Sequence, residues 1–277
     1  MPELPEVETM RRGIAPIRGG VIERVTFPRC SYRPILVEPA RATLRRKLRG
    51  SRILEIDRRG KRVVLVIEGA QRLVFEPRMT GLLLLTDPPD RTHVRLGMTL
   101  GGVPASQLWF WDRRGLGTVR LMSDEAYATR LGPKQLGPDA LEVSLSQFRA
   151  QFDRSARAIK VALLDQKALA GIGNLYASEI LHVARVSPTR TCNSVRPQEW
   201  AALHAATREV LQQAIKYEGS TLGDGTYRNA LNQDGSYQNH HRVYKRADEG
   251  CPRCGDVKVI RIVQAQRSTF YCPACQK

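Results

Sequence analysis

The 277-residue chain lacks what a membrane or secreted protein needs. No apolar run approaches the roughly 18–20 uninterrupted residues that span a bilayer. Its opening, MPELPEVETMRRG, has neither a positive n-region nor an apolar core, which excludes a secretory signal. Cysteine is scarce: there are six, of which Cys30 and Cys192 stand alone and read as reduced structural residues, and in a cytosolic chain a disulfide scaffold is a weak reading. Acids are scarce as well, with 27 Asp+Glu against 44 Lys+Arg, a net charge of +17 and a pI near 10.1. An excess of that size, rich in arginine, points to a polyanionic partner. Nucleic acid fits better than an acidic membrane, because no basic amphipathic helix stands out. Together these absences describe a cytosolic protein.

The cations come in clusters: RATLRRKLRG (41–50), DRRGKR (57–62) and DRRG (112–115). Residues 20–125 read as many short strands. VRLGMTL (94–100) alternates, with Val94, Leu96, Met98 and Leu100 on one face. RILEID, RVVLVIEG, RLVF, LLLL and QLWFWD are β-branched or apolar runs broken by Gly, Pro or charge. Such a pattern predicts a sandwich or barrel-like domain over 1–132. LGPKQLGPDALEV, with two Gly-Pro pairs, reads as a linker over 133–143. Spacing near 3.6 then predicts helices over 144–152, 155–169 and 197–217 within a helical domain, 144–249. That domain includes a long polar loop over about 218–243, and a terminal module follows over 250–277.

Four constellations carry chemistry. CPRCGDVKVIRIVQAQRSTFYCPACQK holds two C-x-x-C pairs with 17 residues between them. If the intervening segment is a β-hairpin, Cys251, Cys254, Cys272 and Cys275 can hold one zinc tetrahedrally in a closed, structural site. That hairpin would carry Arg261 and Arg267 as a probe for DNA phosphates or a minor groove. DQKALAGIGNLYASEIL reads as helix, glycine turn, helix, with Asn174 at a helix start suited to phosphate; a plain helical hairpin is the bland alternative. Lys61 begins a strand after a glycine, which by itself describes a solvated lysine. Met79, in EPRMTGLL, sits at a strand-to-strand turn, where it is either displaced core or an apolar wedge for a base stack. In the opening stretch, Pro5 and the acids suit a helix start but leave Pro2 unexplained.

PELPEVET, DQKALAGIGNLYASEIL and the terminal C-x-x-C…QRSTFYC-x-x-CQK resemble formamidopyrimidine-DNA glycosylase, the bacterial 8-oxoguanine repair family, from end to end. The resemblance implies an α+β fold: an N-terminal β-sandwich with flanking helices, then a helix–two-turns–helix domain carrying a C-terminal zinc finger. It implies a monomeric, nucleoid-associated enzyme acting on double-stranded DNA that contains oxidised bases or abasic sites. The implied activity is that of a glycosylase and AP lyase that excises oxidised purines and cleaves the strand by β,δ-elimination. Met1 would be removed and Pro2 would attack through its secondary amine. Glu3 would move protons at the sugar ring oxygen, Glu6 would orient the N-terminal group, and Lys61 would contact the lesion and its phosphate. Among DNA-binding positions, the resemblance gives Lys160, Asn174, Tyr176 and Arg267. Met79 would fill the gap left by a flipped base, Arg114 would face the orphaned partner, and Ser220 and Thr221 would open the lesion-covering loop.

The sequence departs from the family pattern in four places. Glu76-Pro77 stands for His-Leu. DRRGLG (112–117) stands for Asp-Pro-Arg-Arg-Phe-Gly, so Gly115 and Leu116 replace a second arginine and a stacking phenylalanine. The loop fits loosely beyond Thr221, and the zinc hairpin is one residue longer. Two alternatives follow: an endonuclease VIII-like enzyme preferring oxidised pyrimidines, and a non-catalytic binder of damaged DNA. Leu4, where the pyrimidine branch has Gly, argues against the first, and intact Pro2, Glu3 and Lys61 argue against the second.

Overall fold

The computed structural model describes residues 2–223 and 225–277. It divides into two compact units. One comprises the chain up to Gly132 together with Tyr217–Gln238; the other comprises Pro133–Lys216 and Asn239–Lys277.

The first unit opens with helix α1 (Leu4–Gly13). Pro5 occupies its first turn, Glu3 and Glu6 form a reciprocal capping box, and Arg11 and Arg12 close its last turn. Next come β1 (Val21–Thr26), β2 (Leu36–Glu38) and helix α2 (Arg41–Leu48). Seven strands follow: β3 (Ile53–Arg59), β4 (Arg62–Ile67), β5 (Gln71–Glu76), β6 (Gly81–Leu84), β7 (Val94–Gly101), β8 (Gln107–Asp112) and β9 (Thr118–Ser123). They form an antiparallel sheet β1-β7-β8-β6 and a mixed sheet β2-β9-β5-β4-β3, in which β2 runs parallel to β9. Inner-face residues of both sheets, among them Ile22, Met98 and Phe110 on one and Val63, Leu65 and Phe75 on the other, share a single core with Val7 and Met10 of α1. This is a sandwich. The outer face of the five-stranded sheet is covered by α3 (Asp124–Leu131), whose Leu131 packs on Val64, Val74 and Met122. On the face of β7 opposite Leu96 and Met98, Arg95 is buried and donates to the backbone carbonyls of Asp112 and Arg113.

The second unit holds α4 (Leu145–Ala150), α5 (Ile159–Leu163), α6 (Asn174–Val183) and α7 (Pro197–Lys216). Where α4 meets α7, Phe152 stacks on Trp200 and Phe148 meets both rings edge-on. The hairpin β10 (Ile260–Gln264) and β11 (Arg267–Tyr271) follows, with a small core of Val243, Cys251, Val259, Phe270 and Cys272. Among the described residues, no helix is long and apolar enough to cross a membrane.

Three features differ from the sequence reading. The helix expected over 155–169 shrinks to α5. Ahead of it, Ala158 bridges Thr191; behind it, Asp165 accepts from the Lys167 amide, a turn that ends the helix. The Gly-Pro segment is no solvated linker: Leu136, Ala140 and Val143 are buried, and Asp139 bridges Ala170. The polar loop divides, with Tyr217–Gln238 packing in the sandwich unit, where Tyr227 and Ala230 enter the core.

Candidate active site and metal centre

Pro2, Glu3 and Glu6 are all buried at the start of α1. The Glu6 carboxylate has two backbone donors. Its Oε2 accepts from the Glu3 amide at 2.9 Å, and its Oε1 accepts from the Ser220 amide at 3.0 Å, across 214 residues of sequence. Gly219, with φ of +78°, allows that approach, since a Cβ there would lie 2.9 Å from the Glu6 side chain. Tyr227 lies beneath, its hydroxyl donating to the Glu6 carbonyl at 3.4 Å. Burial, and then the charge of Glu6, pushes its phenol well above the usual tyrosine range. Thr221 donates to the Tyr227 carbonyl and accepts from the Gly235 amide, so Ser220 and Thr221 belong to a closed loop docked on the capping box.

Lys61 follows Gly60 in the two-residue turn between β3 and β4, and is half-buried. Arg58 fixes this turn. Its Nη1 donates to the Gly60 carbonyl at 3.0 Å, while its Nε donates to Glu8 on α1 at 3.0 Å. Glu8 also accepts from Arg11 and Arg12, each at 2.7 Å. Burial raises the Glu8 carboxyl, but the hydrogen bonds from Arg11 and Arg12 and the charge of Arg58 outweigh it and hold its pKa at about 2. Glu8 thereby ties the lysine turn to the helix that Pro2 and Glu3 lead into.

Two loops form a second feature of the same unit. Met79 and Arg114 are exposed and touch, with Arg114 Nη1 3.0 Å from the Met79 sulfur. Fully buried Asp112 organises the 112–117 loop: it accepts from the Thr80 hydroxyl, from the Arg114 amide at 3.2 Å and from the Gly117 amide at 2.8 Å. Gly115 adopts φ of +62°, and a Cβ there would sit 2.0 Å from the Arg33 carbonyl oxygen, so the loop admits no second arginine in this conformation. Leu116 is half-exposed. Beside Met79, Arg78 takes φ of +55° and its Nε lies 3.0 Å from Glu76. Glu76, nearly buried, also pairs with Arg62 at 3.1 Å and meets Arg120 at 3.9 Å.

In the second unit, Asn174 opens α6. Its Oδ1 accepts from Lys160 at 2.5 Å and its Nδ2 donates to the Ser268 carbonyl at 2.9 Å. Lys160 and Tyr176 are fully buried and offer no surface, whereas Arg267 is exposed at the start of β11. The turn before it, Ala265-Gln266, is left-handed at both residues (φ of 47° and 61°), a costly conformation without glycine. The four finger cysteines bring their sulfurs within 4.8 Å of one another, with Cys251–Cys275 at 4.0 Å and Cys254–Cys272 at 3.8 Å. A tetrahedral zinc with Zn–S near 2.3 Å has S–S edges of about 3.8 Å, so the cluster fits one structural zinc. Glu179, buried in α6, accepts from the amides of Arg242, Val243 and Tyr244 and anchors the segment leading into the finger.

Sequence reading had singled out neither Glu8, Arg58, Asp112 nor Tyr227; they act through contacts remote in sequence, and only the acid among the opening residues hinted at Glu8. Met1, whose removal the resemblance implies, lies outside the described residues.

Comparison with known proteins bears on these sites. The formamidopyrimidine-DNA glycosylase N-terminal domain matches residues 1–119, that family's H2TH domain matches residues 136–225, and the zinc finger found in FPG and IleRS matches residues 249–277. Formamidopyrimidine-DNA glycosylase of Thermus thermophilus is 39% identical over 278 residues, covering 100% of this chain and 98% of its own length. That of Pelotomaculum thermopropionicum is 36% identical over 283 residues, covering 100% and 99%. The crystal structure of the Thermus thermophilus MutM (Fpg) protein superposes with a TM-score of 0.85 at 38% identity, covering 99% and 98%. A Lactococcus lactis Fpg mutant bound to Fapy-dG-containing DNA superposes with a TM-score of 0.87 at 34% identity, covering 100% of both chains.

Proposed function

The chain belongs to the formamidopyrimidine-DNA glycosylase family of DNA glycosylases and AP lyases, and from that premise we propose that it excises oxidised purines through the amine of Pro2. The observation that carries this reading is the Glu6 carboxylate, which joins the start of α1 to the Ser220 loop. A loop that covers an extruded nucleotide is thereby coupled to the group that attacks it.

With Met1 removed, Pro2 is a secondary amine. An α-amino group titrates near pH 8, so about a tenth is unprotonated at pH 7. Its lone pair attacks C1′ and the C1′–N bond breaks, so the base leaves with that electron pair and takes up the proton the amine gives up; Glu3 then protonates the sugar ring oxygen as the C1′–O4′ bond opens. The iminium that forms acidifies the C2′ proton, and β- then δ-elimination cleaves the strand. Lys61, held by Arg58 and Glu8, binds the lesion and its phosphate. Met79 fills the vacated position and Arg114 hydrogen-bonds the partner base, with Leu116 beside it. Of the second unit's residues, Arg267 and the α6 start bind phosphate. Lys160 and Tyr176 brace that start from within.

The test is borohydride trapping on duplexes carrying 8-oxoguanine, an oxidised pyrimidine or an abasic site. Native protein, shown by mass spectrometry to lack Met1, is expected to crosslink most to 8-oxoguanine. A chain extended at its N-terminus should bind abasic DNA and fail to crosslink. Equal trapping by the extended chain would make an internal lysine the nucleophile. Preference for the pyrimidine would assign the endonuclease VIII-like activity, and binding without any crosslink would make the protein a damage binder.

A further inference from the structure

We propose that the groove between α2 and β1 is a second nucleic-acid site, binding the phosphate backbone of a DNA segment other than the one engaged at α1. The groove encloses a cavity of about 760 Å³ lined by Arg24 from β1, by Arg45 and Arg46 from α2, and by Arg49 just beyond that helix. Helix α2 buries only Leu44 and Leu48, one turn apart, and every cation it carries faces solvent. Among the described residues, Arg24, Arg41, Arg45, Arg46 and Arg49 form no ion pair and no side-chain hydrogen bond, whereas elsewhere in this unit three arginines crowd onto Glu8 and three onto Glu76.

A solvated helix face does not account for this. Cations in the last turn of α2 complement its dipole, but Arg41 in the first turn opposes it, and Arg24 converges from a different element. Phe27 has Arg41 and Arg45 stacked over its ring, at 5.3 and 5.4 Å. The ring holds both guanidinium groups in place without neutralising their charge, so they remain available to phosphate oxygens. The single carboxylate of the lining, Glu23, lies along Gly101, where a Cβ would be 2.2 Å from its Oε1. Several cations along an open groove suit a repeating phosphate backbone better than one small anion.

The groove is remote from the proposed chemistry. Helix α1 packs on β3, β4 and β6, while α2 packs on β1 and β2. β1 and β6 are opposite edges of one sheet, and β2 and β3 are opposite edges of the other. A protein engaging two segments can pass between them without release, which would serve a search through undamaged DNA.

The experiment immobilises the full chain on a biotinylated abasic duplex and adds a second, labelled DNA, either an undamaged duplex or a single strand, over a salt series. Native protein is expected to retain the second DNA, with retention falling steeply as salt rises. Whichever form is held more tightly identifies the source of the phosphates. Arg24→Ala/Arg45→Ala/Arg46→Ala should lower that retention at least tenfold and take about three from its log–log salt slope, at about 0.9 per lost contact, while leaving affinity for the first duplex within about two-fold. Alanine favours the helix, and Arg24→Gln/Arg49→Gln, which leaves α2 unchanged, provides a second variant. If the first duplex is not bound at all, the proposed function fails, and the groove is tested on free protein with undamaged duplex. No retention by native protein, equal retention by both variants, or displacement by polyglutamate at tenfold lower charge concentration than by DNA would overturn the proposal; the last outcome would assign the groove to an acidic protein.

Discussion

The sandwich unit and the zinc finger are held by opposite means. The sandwich has a core running through both sheets and α1, so its polar side chains are free to brace chemistry: Glu6 joins α1 to the Ser220 loop, and Glu8 joins it to the lysine turn. Among the described residues, the finger's apolar cluster has five buried members, two of them cysteine ligands, and cannot fold on apolar burial alone. A motif fixed by metal is complete within a short stretch of chain; one fixed by packing draws on partners hundreds of residues away.

The largest effect should come from removing the metal. Cys272→Ala deletes one ligand of a site whose binding energy is the finger's folding energy, about 10–16 kcal/mol in isolated zinc-finger peptides. Zinc content should fall from one per chain to near zero, and DNA affinity should fall with it as Arg267 loses its support. Far- and near-ultraviolet circular dichroism should show the sandwich still folded. A full zinc complement in the variant would refute the ligand set, and loss of the sandwich would show that the two units do not stand on separate supports.

Glu6→Ala is the matching strike on the sandwich. It orphans the buried amides of Glu3 and Ser220, at about 1–3 kcal/mol each, with no metal to compensate. Denaturant unfolding should show a loss of about 2–6 kcal/mol. Single-turnover excision of 8-oxoguanine should fall further than lyase activity on a preformed abasic site, because the loop covering the base is released. Glu6→Gln keeps one acceptor oxygen and should recover part of both. Wild-type excision by the alanine variant would remove the observation on which the proposed function rests.

What was legible in the sequence follows the same division. The four cysteines could be read from spacing because their chemistry is local. The strands could be read because β-branched runs such as RVVLVI declare themselves, and α1 because Pro5 and the acids cap it. The residues of the wedge loops could be named, yet their support could not. That Glu76 faces Arg62, Arg78 and Arg120, that Gly115 must clear the Arg33 carbonyl, and that Asp112 gathers Thr80, Arg114 and Gly117 are facts of strand pairing and loop closure. The burial of Lys160 beneath Asn174 could not be read for the same reason, since the contact depends on how α5 meets α6.

Glu76→Gln sharpens the comparison within the sandwich, because its two effects should have opposite signs. Neutralising the carboxylate leaves Arg62, Arg78 and Arg120 facing one another. The stability loss should be about 1–3 kcal/mol, below that of a fully buried pair because Arg78 remains half in water. Arg78, released beside Met79, should then tighten binding to undamaged duplex and steepen its salt dependence by up to about one contact. Melting temperature and a salt titration check the two effects. If stability and affinity fall together, Glu76 supports the wedge loop itself and is no restraint on Arg78.

The smallest effect should come from Leu116→Phe. The 112–117 loop is pinned from beneath by Asp112 and shaped by Gly115 and Gly117, so its backbone does not depend on the side chain at 116, which is half-exposed. A phenyl ring can occupy that open side without displacing core. Base–aromatic stacking contributes about 1–3 kcal/mol, of which leucine recovers only a part, so excision from duplex should rise several-fold at most. The lyase step on a preformed abasic site expels no base and should hardly change. Arg114 keeps its hydrogen-bonding edge, so cytosine should remain favoured over adenine opposite the lesion in both proteins. Parallel single-turnover rates on 8-oxoguanine and abasic duplexes decide the matter: equal changes in the two steps, or slower excision, would mean that this loop is built around leucine and that the base beside it is held by Met79 and Arg114 alone.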